Sequence, residues 1–157
     1  MAPTVMTRQA TAADYEAALP LLERFFVEEE FRTPLSQVRE ELTELLHNPE
    51  SAVFVAWLGA QAVGVATVTT SRGIEFGYCA ELEDLYVLPE ARKSGVGNAL
   101  VQAVKSWCQV QGCSVVYVVV TPEGQAVHNL IGYYCARGFE ESGRTILFNH
   151  FLKSDAD

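Results

Sequence analysis

The sequence predicts an α/β (α+β) fold: one domain over residues 1–157, built on a mixed central β-sheet flanked by about four helices. Three features predict it. Two amphipathic segments with apolar residues three and four apart fill residues 12–47, and a pair of β-rich runs follows at 52–70. Later, "SVVYVVV" at 114–120 is a continuous β-branched run, the pattern of a strand buried on both faces. A chain of 157 residues can bury a core without disulfide staples.

In order along the chain, "TVMTRQ" alternates apolar and polar residues and predicts a strand, after which Thr11 or Asp14 is suited to cap a helix. That helix carries Leu19, Leu22, Phe25, Phe26 and, a little later, Phe31 at helical spacing, with Pro20 predicting a kink or a restart. The next helix has Val38, Leu42, Leu45 and Leu46 on one side and stops at "HNPES". "AVFVAWLGAQAVGVATVTT" reads as two strands joined at Gly59-Ala60-Gln61. Residues 71–79 break the pattern and read as a loop before a strand at 80–87. A helix from Ser94 to Gln111 turns Val96, Leu100, Val104, Trp107 and Cys108 inward. Beyond the 114–120 strand, a helix from Gln125 to Arg137 leads to Gly138 as its C′ residue, and "RTILFNHFL" closes the chain as a last strand. The predicted order is β-α-α-β-β-β-α-β-α-β.

Charge narrows the function. Twenty acidic residues against eleven basic ones, a net charge of −9, disfavour nucleic acid and favour a cationic partner. Residues 1–50 hold ten carboxylates and four arginines, with Glu28, Glu29 and Glu30 consecutive. No apolar run approaches the roughly 20 residues that span a bilayer, so no membrane partner is expected. The start of the chain carries no export pattern, which predicts a cytoplasmic protein. Cys79, Cys108, Cys113 and Cys135 form no CxxC pair, and with three scattered histidines no metal site is expected.

The most informative stretch is "LEDLYVLPEARKSGVGNALV", 82–101. In the strand "AELEDLYV" the apolar phase slips by one between Leu82 and Leu85; a β-bulge at Glu83-Asp84 repairs it, and bulges re-aim side chains beside active sites. After Pro89, "ARKSGVGNALV" puts two glycines at the entrance of a helix. Unpaired N–H groups and the helix dipole there suit a phosphate, with Arg92 and Lys93 adding charge. The third glycine of the dinucleotide fingerprint is missing, and there is no GKS or GKT of a Walker loop.

Arg92-x-x-Gly95-x-Gly97 after "LYVLPEA" resembles the acetyl-CoA-binding motif of the GNAT superfamily, and Tyr134-Cys135-Ala136-Arg137-Gly138-Phe139 is similar to that family's YxxxGF. The element order matches along nearly the whole chain. The resemblance implies the GNAT acyl-CoA N-acyltransferase fold and acetyl-CoA as cosubstrate. It implies that the amides of Arg92, Lys93, Ser94, Gly95, Val96, Gly97 and Asn98 hold the pyrophosphate. It further implies that the backbone of Leu85, Tyr86 and Val87 pairs with the pantetheine arm while the strand 115–120 splays away, and that Tyr134 is the general acid. An asparagine common in the family seven residues before this tyrosine is Val127 here, and Asn129 receives no binding role.

Attack on a thioester needs a neutral nitrogen, so a base must take a proton. Glu83 is the first candidate, Asp84 the second and Glu81 the third. The acceptor parts of the family carry Glu28, Glu29, Glu30, Glu40, Glu41, Glu75, Glu140, Glu141, Asp155 and Asp157 in this chain, and with Glu81 they suit a cationic small-molecule amine. "YVLPEARKSGVG" and "GFEESGRTILF" resemble bacterial aminoglycoside N-acetyltransferases, the 6′ type above all, although the 3-N type shares much of the pattern. Two alternatives stay open: an acetyltransferase for a polyamine, amino-acid derivative or protein N-terminus, and a non-catalytic acyl-CoA sensor. The resemblance also implies a homodimer paired through "TILFNHFL".

Overall fold

A computed structural model describes residues 3–152, so Asp155 and Asp157 lie outside the described residues. Up to Val119 the chain is one compact unit organised by a five-stranded sheet. Its strands are β1 (Val5–Gln9), β2 (Ser51–Leu58), β3 (Gln61–Gly73), β4 (Gly77–Val87) and β5 (Val116–Val118), adjacent in that order. All neighbours are antiparallel except β4 and β5, which are parallel. The helices of this unit are α1 (Tyr15–Glu28), α2 (Leu35–His47) and α3 (Val96–Gln111).

Strand register decides which helix covers which face. Val65, Thr67 and Thr69 of β3 pair with Tyr86, Asp84 and Glu81 of β4, and so share one face with them. The Tyr86 ring lies 5.4 Å from that of Phe25, which puts α1 on this face. α2 joins it there, since Ser51, opposite Thr69, donates its hydroxyl to the Leu45 carbonyl at 2.9 Å. Gly64, Ala66 and Val68 point the other way with Val87, Leu85 and Leu82, and the side chains of Val96 and Leu100 crowd Gly64 from α3. The core lies in these two layers, with Val55, Val65, Val68, Leu100, Val101 and Val104 among its fully buried members.

Local signals account for the element ends. Thr11 accepts from the Ala13 amide and Asp14 from the Thr11 amide at 2.9 Å, a capping box on a 3-10 turn that leads into α1. The α1 helix runs on through Pro20 without a restart, because the helix is held by its buried face of Ala18, Leu19, Leu21 and Leu22. At the end of α3, Gly112 is left-handed; its amide bonds to the Gln109 carbonyl and that of Cys113 to Cys108, a Schellman motif.

Four expectations are corrected. Residues 71–79 are not a loop: β3 and β4 continue to a hairpin end at Gly73 and Gly77, with Arg72 over the Tyr78 ring and Ser71 beside Cys79. The glycines that broke the sequence pattern sit where the chain reverses, and Gly77 has φ +68°. β5 covers three residues instead of seven and is not buried on both faces; it is the sheet edge, and Tyr117 is 41% exposed.

In the unit from Val120 on, the helix expected at 125–137 is two, α4 (Pro122–His128) and α5 (Leu130–Cys135). Thr121 caps the Gly124 amide at 3.0 Å with Pro122 in the first turn, and Asn129 adopts φ +49° between the helices. Residues 144–152 form no strand. Strand propensity needs a pairing partner to be realised, and here the run has none among the described residues, with Leu147 and Phe151 each 89% exposed.

Candidate active site

Register places the irregularity of β4 where the sequence phase predicted it. Thr67 faces Asp84 and Val68 faces Leu82, so Glu83 is the extra residue of a bulge. Leu82, Leu85 and Val87 thereby all reach the α3 face, while Glu81, Asp84 and Tyr86 reach the face of α1 and α2. Thr69, on that second face, donates its hydroxyl to Glu83 at 3.1 Å, and Thr67 donates to Asp84 at 2.5 Å. A one-residue insertion thus gathers three carboxylates beside two threonines.

Their environments differ. Asp84 lies deep in the sheet face, and burial raises its carboxyl above the usual range against the opposing hydrogen bond from Thr67. Burial also raises Glu81, with the negative charge of Glu83 next in effect; Tyr117, opposite it on β5, holds it by a hydrogen bond that works the other way. Glu83 is exposed on the bulge. An exposed carboxylate held by a threonine hydroxyl can collect a proton and hand it to water, whereas Asp84 is half-buried with Thr67 as its partner.

The same strand loses its neighbour at the same level. Pairing with β5 covers Ala80 to Leu82, and from Glu83 to Val87 that edge of β4 has no strand beside it among the described residues. Main-chain groups of Leu85 and Val87 are therefore placed to take an extended ligand as an added strand. The expectation for Tyr86 is corrected: the Leu88 amide bonds to the Val63 carbonyl, so Tyr86, two residues before it, also turns its main-chain groups to β3, and its ring is buried against Phe25. Beyond Pro89, Lys93 and Gly95 are both left-handed, with φ of +63° and +87°, and the Ser94 hydroxyl donates to the Ala91 carbonyl. The first helical bond of α3 runs from the Ala99 amide to the Gly95 carbonyl at 3.0 Å, and no side chain caps this end. The amides of Val96, Gly97 and Asn98 therefore open the helix without intrahelical acceptors, at its positive end. This set of donors fits a pyrophosphate, and the open β4 edge fits a pantetheine chain.

Arg92 departs from a simple phosphate contact. Its Nε donates to the Val87 carbonyl at 2.9 Å, its Nη2 to Glu28 at 2.8 Å, and its guanidinium lies over the Tyr86 ring. Glu28, expected at the acceptor, has both carboxylate oxygens engaged, the second by the Tyr86 hydroxyl at 2.6 Å. Glu29 and Glu30 close α1, where Glu30 has φ +57°. In the second unit Tyr134 is buried on α5 in ring contact with Tyr133 and Phe139. Sequence reasoning passed over Thr67, Thr69, Tyr117 and Gly64. The first two stand two apart in "VATVTT", which is the spacing that puts hydroxyls on one strand face.

A bulged acidic strand that parts from its neighbour and runs into a bare helix N-terminus defines an acyl-CoA transferase type of site. The sequence profile of the acetyltransferase (GNAT) family matches residues 15–139, and the chain belongs to that family. The aminoglycoside N(6′)-acetyltransferase type 1 of Stenotrophomonas maltophilia is 36% identical over 160 residues, spanning 99% of this chain and 97% of that protein. Among solved structures, an integron cassette protein from the mobile metagenome of Cole Harbour Salt Marsh superposes with TM-score 0.81 at 28% identity, covering 94% of this chain and 91% of its own. The aminoglycoside N-acetyltransferase AAC(6′)-Iy in complex with CoA has the same fold, with TM-score 0.81 at 24% identity over 97% of this chain and 98% of that one.

Proposed function

We propose that the chain transfers an acetyl group from acetyl-CoA to the 6′-amine of an aminoglycoside by direct attack in a ternary complex. One observation carries the reading: a single strand joins an anion-binding helix start to three carboxylates gathered by a bulge, an arrangement with one end for the CoA phosphates and the other for a cation. The full-length similarity to an aminoglycoside 6′-N-acetyltransferase supports the choice of amine. Family membership across 15–139, on both sides of Val119, supports treating the chain as one acetyltransferase domain.

The acetyl thioester supplies the electrophile. Amides of Arg92 to Asn98 and the backbone of Leu85 and Val87 hold and orient it. Glu29, Glu30 and Glu81 draw in the acceptor ammonium, and Glu83 takes its proton so that the nitrogen lone pair attacks. The N–C bond forms, the C–S bond breaks, the departing sulfur takes a proton from Tyr134, and the second proton that the nitrogen sheds on becoming an amide passes through water to restore the Tyr134 hydroxyl. The role of Tyr134 rests on its place in YxxxGF. No helix among the described residues is long and apolar enough to cross a membrane. The four free cysteines suit a reducing compartment, so we place the enzyme in the cytoplasm. The exposed apolar side chains of Ile146, Leu147, Phe148, Phe151 and Leu152 support a homodimer through that segment.

Thiol release from acetyl-CoA, measured across aminoglycosides, polyamines and peptides, tests the reading. Turnover with aminoglycosides far above the others is expected. Silence on every aminoglycoside with turnover of another amine moves the substrate class, and silence on all of them removes the enzymatic reading.

A further inference from the structure

The cluster of Glu28, Tyr86 and Arg92 joins the end of α1 to the end of β4 and the loop after it, 58 and 64 positions away. Both Glu28 oxygens are used, Oε2 accepting from the Tyr86 hydroxyl at 2.6 Å and Oε1 from Arg92 Nη2 at 2.8 Å. Arg92 is pinned again by its Nε bond to the Val87 carbonyl and by the Tyr86 ring, so its guanidinium is folded back on β4. The Tyr86 ring is itself buried against Phe25 of α1. Lys93, the next residue, has φ +63°, a conformation that is costly for a residue with a side chain and persists where surrounding structure imposes it. The anchored Arg92 is the adjoining point from which it can be imposed. The hydrogen bond from Tyr86 first, and then the hydrogen bond and charge of Arg92, lower the Glu28 carboxyl below its ordinary value against the opposing effect of burial.

We propose that Glu28 is a positioning residue of the donor site, not an acceptor ligand: its carboxylate holds Tyr86 and Arg92 together and so fixes the loop of Arg92–Asn98 to the end of α1. This inference rests on the reading of that loop as the CoA pyrophosphate site. Because Glu29 and Glu30 follow Glu28 directly, the clamp also links the donor loop to the acceptor's acidic border.

Three measurements on wild type, Glu28→Gln and Tyr86→Phe test it: CoA affinity by calorimetry, steady-state constants, and, in the ligand-free protein, hydrogen exchange of the Arg92 and Ala99 amides, which bracket the loop and bond to the Pro89 and Gly95 carbonyls. In Glu28→Gln, CoA affinity and the KM for acetyl-CoA each weaken about tenfold, the scale of a charge-assisted hydrogen bond discounted for partial exposure. The kcat stays within about twofold, since no reacting atom is touched. Exchange at Arg92 and Ala99 quickens, and Tyr86→Phe does the same to a lesser degree. Unchanged CoA affinity with a raised KM for the amine overturns the proposal and returns Glu28 to the acceptor site. If wild type binds no CoA, the functional reading fails, and exchange still decides the clamp: faster in Glu28→Gln supports it, unchanged overturns it.

Discussion

Gly64 is where the sheet and the donor site meet most tightly, and replacing it with alanine tests that contact. A Cβ at this position would stand 2.9 Å from Val96 Cγ1, 2.9 Å from Leu100 Cδ1 and 3.2 Å from the Tyr86 carbonyl oxygen. Carbon atoms settle at about 3.5 Å or more, so both side chains must withdraw by about 0.6 Å. Neither has room to do so, Val96 being 1% and Leu100 0% exposed, and Val96 is β-branched and stiff in a helix. The first turn of α3 must therefore shift as a unit. Overpacking of this kind costs about 2 kcal/mol, from which the lower unfolded-chain entropy of alanine returns about 0.5 kcal/mol. The net of about 1.5 kcal/mol lowers Tm by about 3–6 °C at the scale of this chain. The shift also moves the amides of Val96, Gly97 and Asn98, so the KM for acetyl-CoA rises while the amine KM does not. Gly73 lies on the same strand with no atom within 4 Å of a Cβ and is the control. Thermal melts and steady-state kinetics of Gly64→Ala beside Gly73→Ala decide the matter; equal Tm values with unchanged acetyl-CoA KM would refute the reasoning.

Further expectations concern the acids and the tyrosine. Glu83→Gln should lower kcat by about 10²-fold and remove the acidic limb of the pH–rate profile, and a profile that keeps its limb sinks Glu83 as the base. Asp84 has a raised carboxyl pKa in the fold, so its ionisation penalty is absent below its ordinary 3.8 and grows as pH rises through the folded value. Asp84→Asn should accordingly gain Tm relative to wild type as pH is raised above the ordinary 3.8 in melts. Glu28 is the opposite case: its depressed pKa contributes stability above its ordinary 4.5 that is lost as pH falls through the folded value. The Tm gap between wild type and Glu28→Gln should therefore close in acid. Tyr134→Phe should cut kcat by about 10²-fold with little change in CoA affinity.

Much of this arrangement was legible in the sequence, for identifiable reasons. The bulge at Glu83 was visible because one slipped residue exposes a whole apolar phase, and strand period leaves no other repair. Likewise the α3 entrance announced itself through glycines beside basic residues. What failed was set by partners. The run at 114–120 has the composition of a central strand, yet its place at the sheet edge depends on strand order, which composition does not encode. Residues 144–152 are rich in apolar strand formers and still lack a neighbour among the described residues. Asn129 in a left-handed conformation divides a helix that periodicity joins. Gly64 could have been suspected as a glycine inside a strand, a common mark of close approach. The Glu28–Arg92 pair spans 64 positions and has no local signature.

The central claim is acetylation at one nitrogen, and the product itself tests it most directly. An aminoglycoside bearing a 6′-amine, incubated with acetyl-CoA and the protein, should yield a single monoacetylated product whose NMR spectrum places the new amide at the 6′ position. The matched analogue with a 6′-hydroxyl should release no thiol. Acetylation at another amine, or equal turnover of the hydroxyl analogue, would contradict the account.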